Sequence, residues 1–154
     1  MFKQLFPERA DNAYRGHNLA LLLFTLVVLA KTGIGLGTIF NGRQAASSAD
    51  GIPLDTYTSA SAQTVLSLFA LLGLSQVMIC LICFVVLVRY RTMIPLMFAL
   101  LLLYQLGRQL ILHFLPIART GAPPGSVINL VLLAMMIVGL ALSLWSPSNR
   151  QPQE

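Results

Sequence analysis

Five side chains able to donate or accept protons interrupt the leucine-rich run from Met93 to Ile117: Tyr104, Gln105, Arg108, Gln109 and His113. At about 100° per residue along a helix, they occupy one half of the surface, in the angular order 104, 108, 105, 109, 113. The other half, Leu102, Leu103, Leu106, Leu110 and Phe114, suits lipid. A guanidinium at the bilayer centre costs roughly 2.5–3.5 kcal/mol on insertion scales, so it normally faces protein or water. A second cation, Lys31, lies within another apolar run, and Asn129 lies within the last one. Lys31, Tyr104, Gln105, Arg108, Gln109, His113 and Asn129 are therefore the candidate ligand-binding residues, and their chemistry is hydrogen bonding to, and charge pairing with, an anion. No catalytic set is assigned.

The remaining reactive residues point elsewhere. Cys80 and Cys83 form a CxxC (CLIC), but within an apolar helix, where buried cysteine behaves as a small hydrophobe. A zinc site would need further Cys or His ligands at suitable spacing. His17 and His113 are far apart and fall at opposite membrane surfaces, so no metal is expected. The glycines of GIGLG resemble a nucleotide loop only superficially, because no strand precedes them and no soluble helix follows.

The elements that must position these residues are membrane spans. The 154 residues are 56% hydrophobic and 10% charged, where a soluble domain averages about 25% charged. Spans are expected at about 18–40, 61–88, 93–117 and 127–145, with an outer loop at 41–60, in a single all-α, integral-membrane four-helix bundle covering 1–154. The first run is too long for a signal peptide and carries Lys31, so it reads as a span. Within it Gly33 and Gly37 form a GxxxG, which permits close helix approach. Pro7 and Glu8 can start a short surface helix that rests Phe2, Leu5 and Phe6 on the membrane. Pro-Pro-Gly stops the third span, and Ser126 can cap the fourth. The net charge of +5 comes without a basic run beside stacking aromatics, so no nucleic-acid partner is expected.

Lysine and arginine set the orientation. With the N-terminus inside, Lys3, Arg9, Arg15, Arg89, Arg91 and Arg150 are cytoplasmic, and only Arg43 and Arg119 lie outside. That bias places both N and C termini in the cytoplasm. Lys31 and Arg108 then both lie roughly 20 Å above the cytoplasmic boundary at ~1.5 Å per residue. No span contains Asp or Glu. Three solutions exist for these cations: Asp50 or Asp55 folds back as counter-ion, glutamine and carbonyl oxygens solvate them, or an anion binds. Transport is disfavoured because Gln76 is the only strongly polar side chain of the inner half.

Three stretches, FPERADNAYRGHNLALLLF (Phe6–Phe24), FNGRQAASSADGIPLD (Phe40–Asp55) and TGAPPGSVINLVLLAMMIVGLALSLW (Thr120–Trp145), resemble a group of small, uncharacterised four-span membrane proteins of Gram-negative bacteria. A broader similarity is to DoxX-like four-helix membrane proteins, through the lysine of LVVLAKTG (Lys31). These resemblances imply a multi-pass protein of the bacterial inner membrane; the second implies redox chemistry on quinones or thiols. The primary expectation is a non-enzymatic accessory or scaffold subunit with a polar cationic pocket in the outer half of the bundle. The alternatives are a binder of an anionic or quinone-like small molecule or lipid headgroup at that pocket, and a DoxX-like redox protein. No resident cofactor is expected beyond a quinone or lipid. The expected partners are the lipid bilayer and either another membrane protein or further copies of the chain.

Overall fold

The computed structural model describes Leu5, Asp11, Asn12, Tyr14, residues 16–121 and residues 123–145. Four long helices carry it: α1 (Asn18–Phe40), α2 (Ser59–Arg89), α3 (Ile94–Phe114) and α4 (Pro124–Leu144). No strand occurs among the described residues. Each helix is long and apolar enough to cross a membrane. The surface helix expected around Pro7 lies almost wholly outside the described residues, as do Lys3, Arg9, Arg15 and Arg150.

Three of the helix starts have a local cause. His17 caps α1 by accepting the Leu19 amide on Nδ1 at 3.1 Å. Thr58 caps α2 by accepting the Ser61 amide at 3.2 Å, so this helix begins at Ser59, ahead of the expected Ser61. The 31 residues of α2 span about 46 Å, longer than a hydrocarbon core of about 30 Å. Pro124 opens α4 rather than closing a helix, since proline in a first turn withholds only an amide that has no helical partner. Ser126 therefore lies inside that turn, and its hydroxyl donates to the Pro123 carbonyl at 2.7 Å.

The stretch expected as an open loop, 41–60, folds into short turns: Gly42–Gln44, a π turn at Ala45–Ala49 and a 3-10 turn at Leu54–Thr56. Its apolar residues Ala46, Ile52 and Leu54 are buried against Val65, Leu66 and Phe69 of α2, forming a second, smaller core. Burying those three side chains is what orders a segment otherwise rich in Ser, Ala and Asp.

Helix order around the bundle is α2, α1, α4, α3. The α1 helix packs closely on α2 and α4, α3 packs mainly on α4, and the α1–α3 and α2–α3 approaches are slight. With lipid outside, little hydrophobic force drives span against span, and small residues set the distance. A Cβ at Gly73 would lie 2.8 Å from the Gly35 carbonyl oxygen, and one at Gly35 would lie 2.9 Å from Val77 Cγ2. That crossing needs glycine on both sides. Gly139 likewise admits the Phe98 ring, which meets Phe24 edge-on at 5.1 Å. By contrast, a Cβ at Gly33 or Gly37 would meet nothing within 4 Å. The GxxxG face is open, and the close approach uses a different glycine of the same helix.

The two ends are pinned separately. At one, the His17 amide donates to the Leu142 carbonyl at 3.2 Å, and Thr92 exchanges hydrogen bonds with the Asp11 backbone at 3.0 and 3.1 Å. At the other, Gly51, in the left-handed region at φ 72°, turns its carbonyl to Thr120, which donates its amide at 2.8 Å. The chain thus enters α1 and leaves α4 at the same end of the bundle.

Candidate functional site

Three buried stripes lead into the polar cluster. On α1 the inward residues are Ala20, Phe24, Val27, Val28, Lys31 and Gly35. On α3 they are Ile94, Pro95, Phe98, Leu101 and Gln105. On α4 they include Leu132 and Met136, and half-buried Asn129 continues the stripe one turn nearer the helix start. On α1 and α3 the stripe is apolar toward the end where the chain enters and becomes polar toward the 41–58 loop, while α4 carries Asn129 toward the loop and buried Ser143 at the other end. The helical repeat that packs the core therefore aims one polar group from each of three helices at the same place.

They meet there in a chain of hydrogen bonds. Lys31 Nζ donates to Gln105 Oε1 at 3.2 Å. Gln105 Nε2 donates to Asn129 Oδ1 at 3.3 Å, and Asn129 Nδ2 donates to the Gly125 carbonyl at 2.8 Å. Lys31 is 4% exposed and Gln105 1% exposed. An ammonium has three donors, and among the described residues this one has a single acceptor. The Tyr104 ring stands 5.9 Å from Nζ, close enough for the ring face to attract the cation. Because α1 and α3 scarcely touch, the long lysine side chain itself bridges the gap between them.

Arg108 lies one turn beyond Tyr104, half-buried and within electrostatic range of Lys31. Among the described residues no carboxylate pairs with either cation. Asp55 lies 3.7 Å from Arg43, both widely exposed, and Asp50 sits against Gly125 at the start of α4. Two positive groups thus share one region, where the Gln105 oxygen and the Tyr104 ring stand beside the Lys31 ammonium. Gln109 and His113 are exposed, and the His113 ring meets Phe114 edge-on at 5.6 Å. The structure brings together Lys31, Tyr104, Gln105, Arg108 and Asn129, and leaves Gln109 and His113 on the outer surface.

Sequence reasoning did not link the cysteines to this region. Cys80 and Cys83 are free thiols, each 1% exposed, and both lie within electrostatic range of Lys31. Gln76 Nε2 reaches Cys80 Sγ at 3.5 Å, a weak acceptor. The signal was available: Gly73, Gln76, Cys80 and Cys83 share one side of α2, and Gly73 is the residue that meets α1. In intact membranes both thiols are expected to resist a maleimide that labels them fully after unfolding in SDS. Rapid labelling of the folded protein would show that the pair is open to exchange chemistry.

No group of His, Cys, Asp or Glu among the described residues is arranged to hold a metal ion. A surface depression of about 530 Å³ over Phe40–Gln44, Ser47 and Ser48 lies at the loop end and includes none of the relay residues. What the cluster can do chemically is bind: it offers ammonium and guanidinium donors, an aromatic face and amide oxygens. Comparison with protein-family models, curated proteins and solved structures finds no match to this chain.

Proposed function

We propose that this chain is a non-enzymatic multi-pass protein of the bacterial inner membrane, with both ends cytoplasmic, that holds an anionic group beside Lys31 in the outer half of its bundle. The observation that carries this reading is the Lys31 ammonium, 4% exposed, with one neutral acceptor and no carboxylate partner among the described residues. A cation withdrawn from water without compensation is strongly unfavourable, and a bound anion removes that deficit. Arg108 in the same region and the Tyr104 ring add to the attraction. Inner-membrane location and orientation rest on the Lys and Arg bias and on the resemblance to small four-span bacterial proteins.

Thermal unfolding in neutral maltoside detergent tests the binding. At least one of acetate, inorganic phosphate or dodecanoate is expected to raise the wild-type Tm, since saturating ligand at about 100 times Kd adds ~2.7 kcal/mol. None should raise that of Lys31→Met. Equal responses in both proteins, or none in the wild type, overturn the reading.

A second reading, an accessory or scaffold subunit, is favoured by the open Gly33 and Gly37 face, where a partner helix can approach the backbone closely. The mass of the gently solubilised protein tests it, and a lone monomer argues against it.

A further inference from the structure

We infer that the anion held beside Lys31 and Arg108 is the head of a single-chain amphiphile, a carboxylate or phosphate on an alkyl tail, taken sideways from the loop-side leaflet along α3. This rests on the anion-binding reading and adds the ligand's class and its route. Lys31 is 4% exposed, whereas the two α3 residues beside it are more open: the Tyr104 ring is 38% exposed and Arg108 is half-buried. The way out from Nζ therefore runs over the flank of α3, at the depth of the acyl chains, and not up through the 41–58 loop.

That flank is built for a tail. At helical spacing, Leu100, Tyr104, Gly107 and Ile111 form one strip, with Arg108 beside it. Leu100 and Ile111 are exposed, and a Cβ at Gly107 would meet nothing within 4 Å, so the strip has a notch at its middle. Arg108 lies nearer the loop end of α3 and Leu100 nearer the bundle's middle, the same direction as a loop-side lipid with its head outward and chain descending. A guanidinium that offers paired donors matches a carboxylate or phosphate head, while Leu100 and Ile111 of the strip offer contact to an alkyl tail and none to a small hydrophilic anion.

The test compares probes on wild-type protein in neutral maltoside, read as Tm shift and as adducts in native mass spectrometry. Dodecanoate or dodecyl phosphate is expected to bind about tenfold or more tighter than acetate or inorganic phosphate, because the tail adds contacts that the head alone lacks. Whichever of the two binds tighter identifies the head. Arg108→Leu should weaken that probe about tenfold, and Gly107→Leu, which fills the notch, should weaken it without altering acetate binding. If acetate or phosphate binds as tightly as the long-chain probes, with Lys31→Met abolishing it, the anion site stands and the amphiphile falls. If dodecanol binds as well as dodecanoate, charge is not recognised and both fall. A variant that fails to accumulate is replaced by the wild-type probe series, which decides the matter alone.

Discussion

Gln105→Leu is expected to destabilise the bundle by about 2–4 kcal/mol, and by more than Lys31→Met, although the lysine carries the charge. Gln105 occupies the middle of the relay, accepting from Lys31 at 3.2 Å and donating to Asn129 at 3.3 Å. Leucine nearly preserves its volume and removes both partners, so the buried ammonium loses its one acceptor. A stranded buried donor costs about 1–3 kcal/mol, and a charged one more. Lys31→Met removes the charge together with its need for compensation, leaving only Gln105 Oε1 without a donor; hydrogen bonds between spans average ~0.6 kcal/mol. The double variant Lys31→Met/Gln105→Leu should regain most of what Gln105→Leu loses. Unfolding titrations in mixed micelles measure all three. A Gln105→Leu protein no less stable than Lys31→Met would mean that the ammonium does not depend on the glutamine.

Gly73→Ala is expected to cost about 1–3 kcal/mol, the range for overfilling a packed interface. The new methyl would lie 2.8 Å from the Gly35 carbonyl oxygen and 3.0 Å from Ile39 Cγ1, and backbone cannot turn aside as a side chain can. The same change at Gly37, where nothing lies within 4 Å, should be neutral or stabilise by up to about 1 kcal/mol through helix propensity. The contrast separates a packing role from a general dislike of glycine replacement. If both variants lose stability equally, a partner helix covers the Gly37 face, which supports the accessory-subunit reading.

Hydropathy made four spans legible because twenty-odd apolar residues in a row have few other uses. Their ends were less so. Thr58 and Pro124 start helices by capping and by proline's fixed φ, and neither effect registers in an apolar window. The 41–60 segment read as a loop from its Ser, Ala and Asp content. Ala46, Ile52 and Leu54 are too few to show a period, yet enough to bury against α2. For the site, periodicity put five polar residues on half of α3, but an arc so wide cannot say which sector faces protein. Gln105 faces α1 and α4, Tyr104 and Arg108 flank it, and Gln109 and His113 turn outward. The Gly33–Gly37 spacing matched a known approach motif, whereas Gly35 makes the contact, because the partner glycine sits on α2 at Gly73. Complementarity between two helices is not a property of either one alone.

The Lys31–Gln105–Asn129 bridge also constrains biogenesis. Its members belong to α1, α3 and α4, so the nascent α1 leaves the ribosome with a lysine whose acceptor is still some seventy residues from being synthesised. That lysine raises the insertion free energy of the isolated segment by roughly 2.5–3.5 kcal/mol. The apolar residues of α1 outweigh that cost, so the helix can enter the lipid phase with its lysine still without the glutamine acceptor. The polar contact across the mature bundle therefore closes late, after α1 and α2 have already been made.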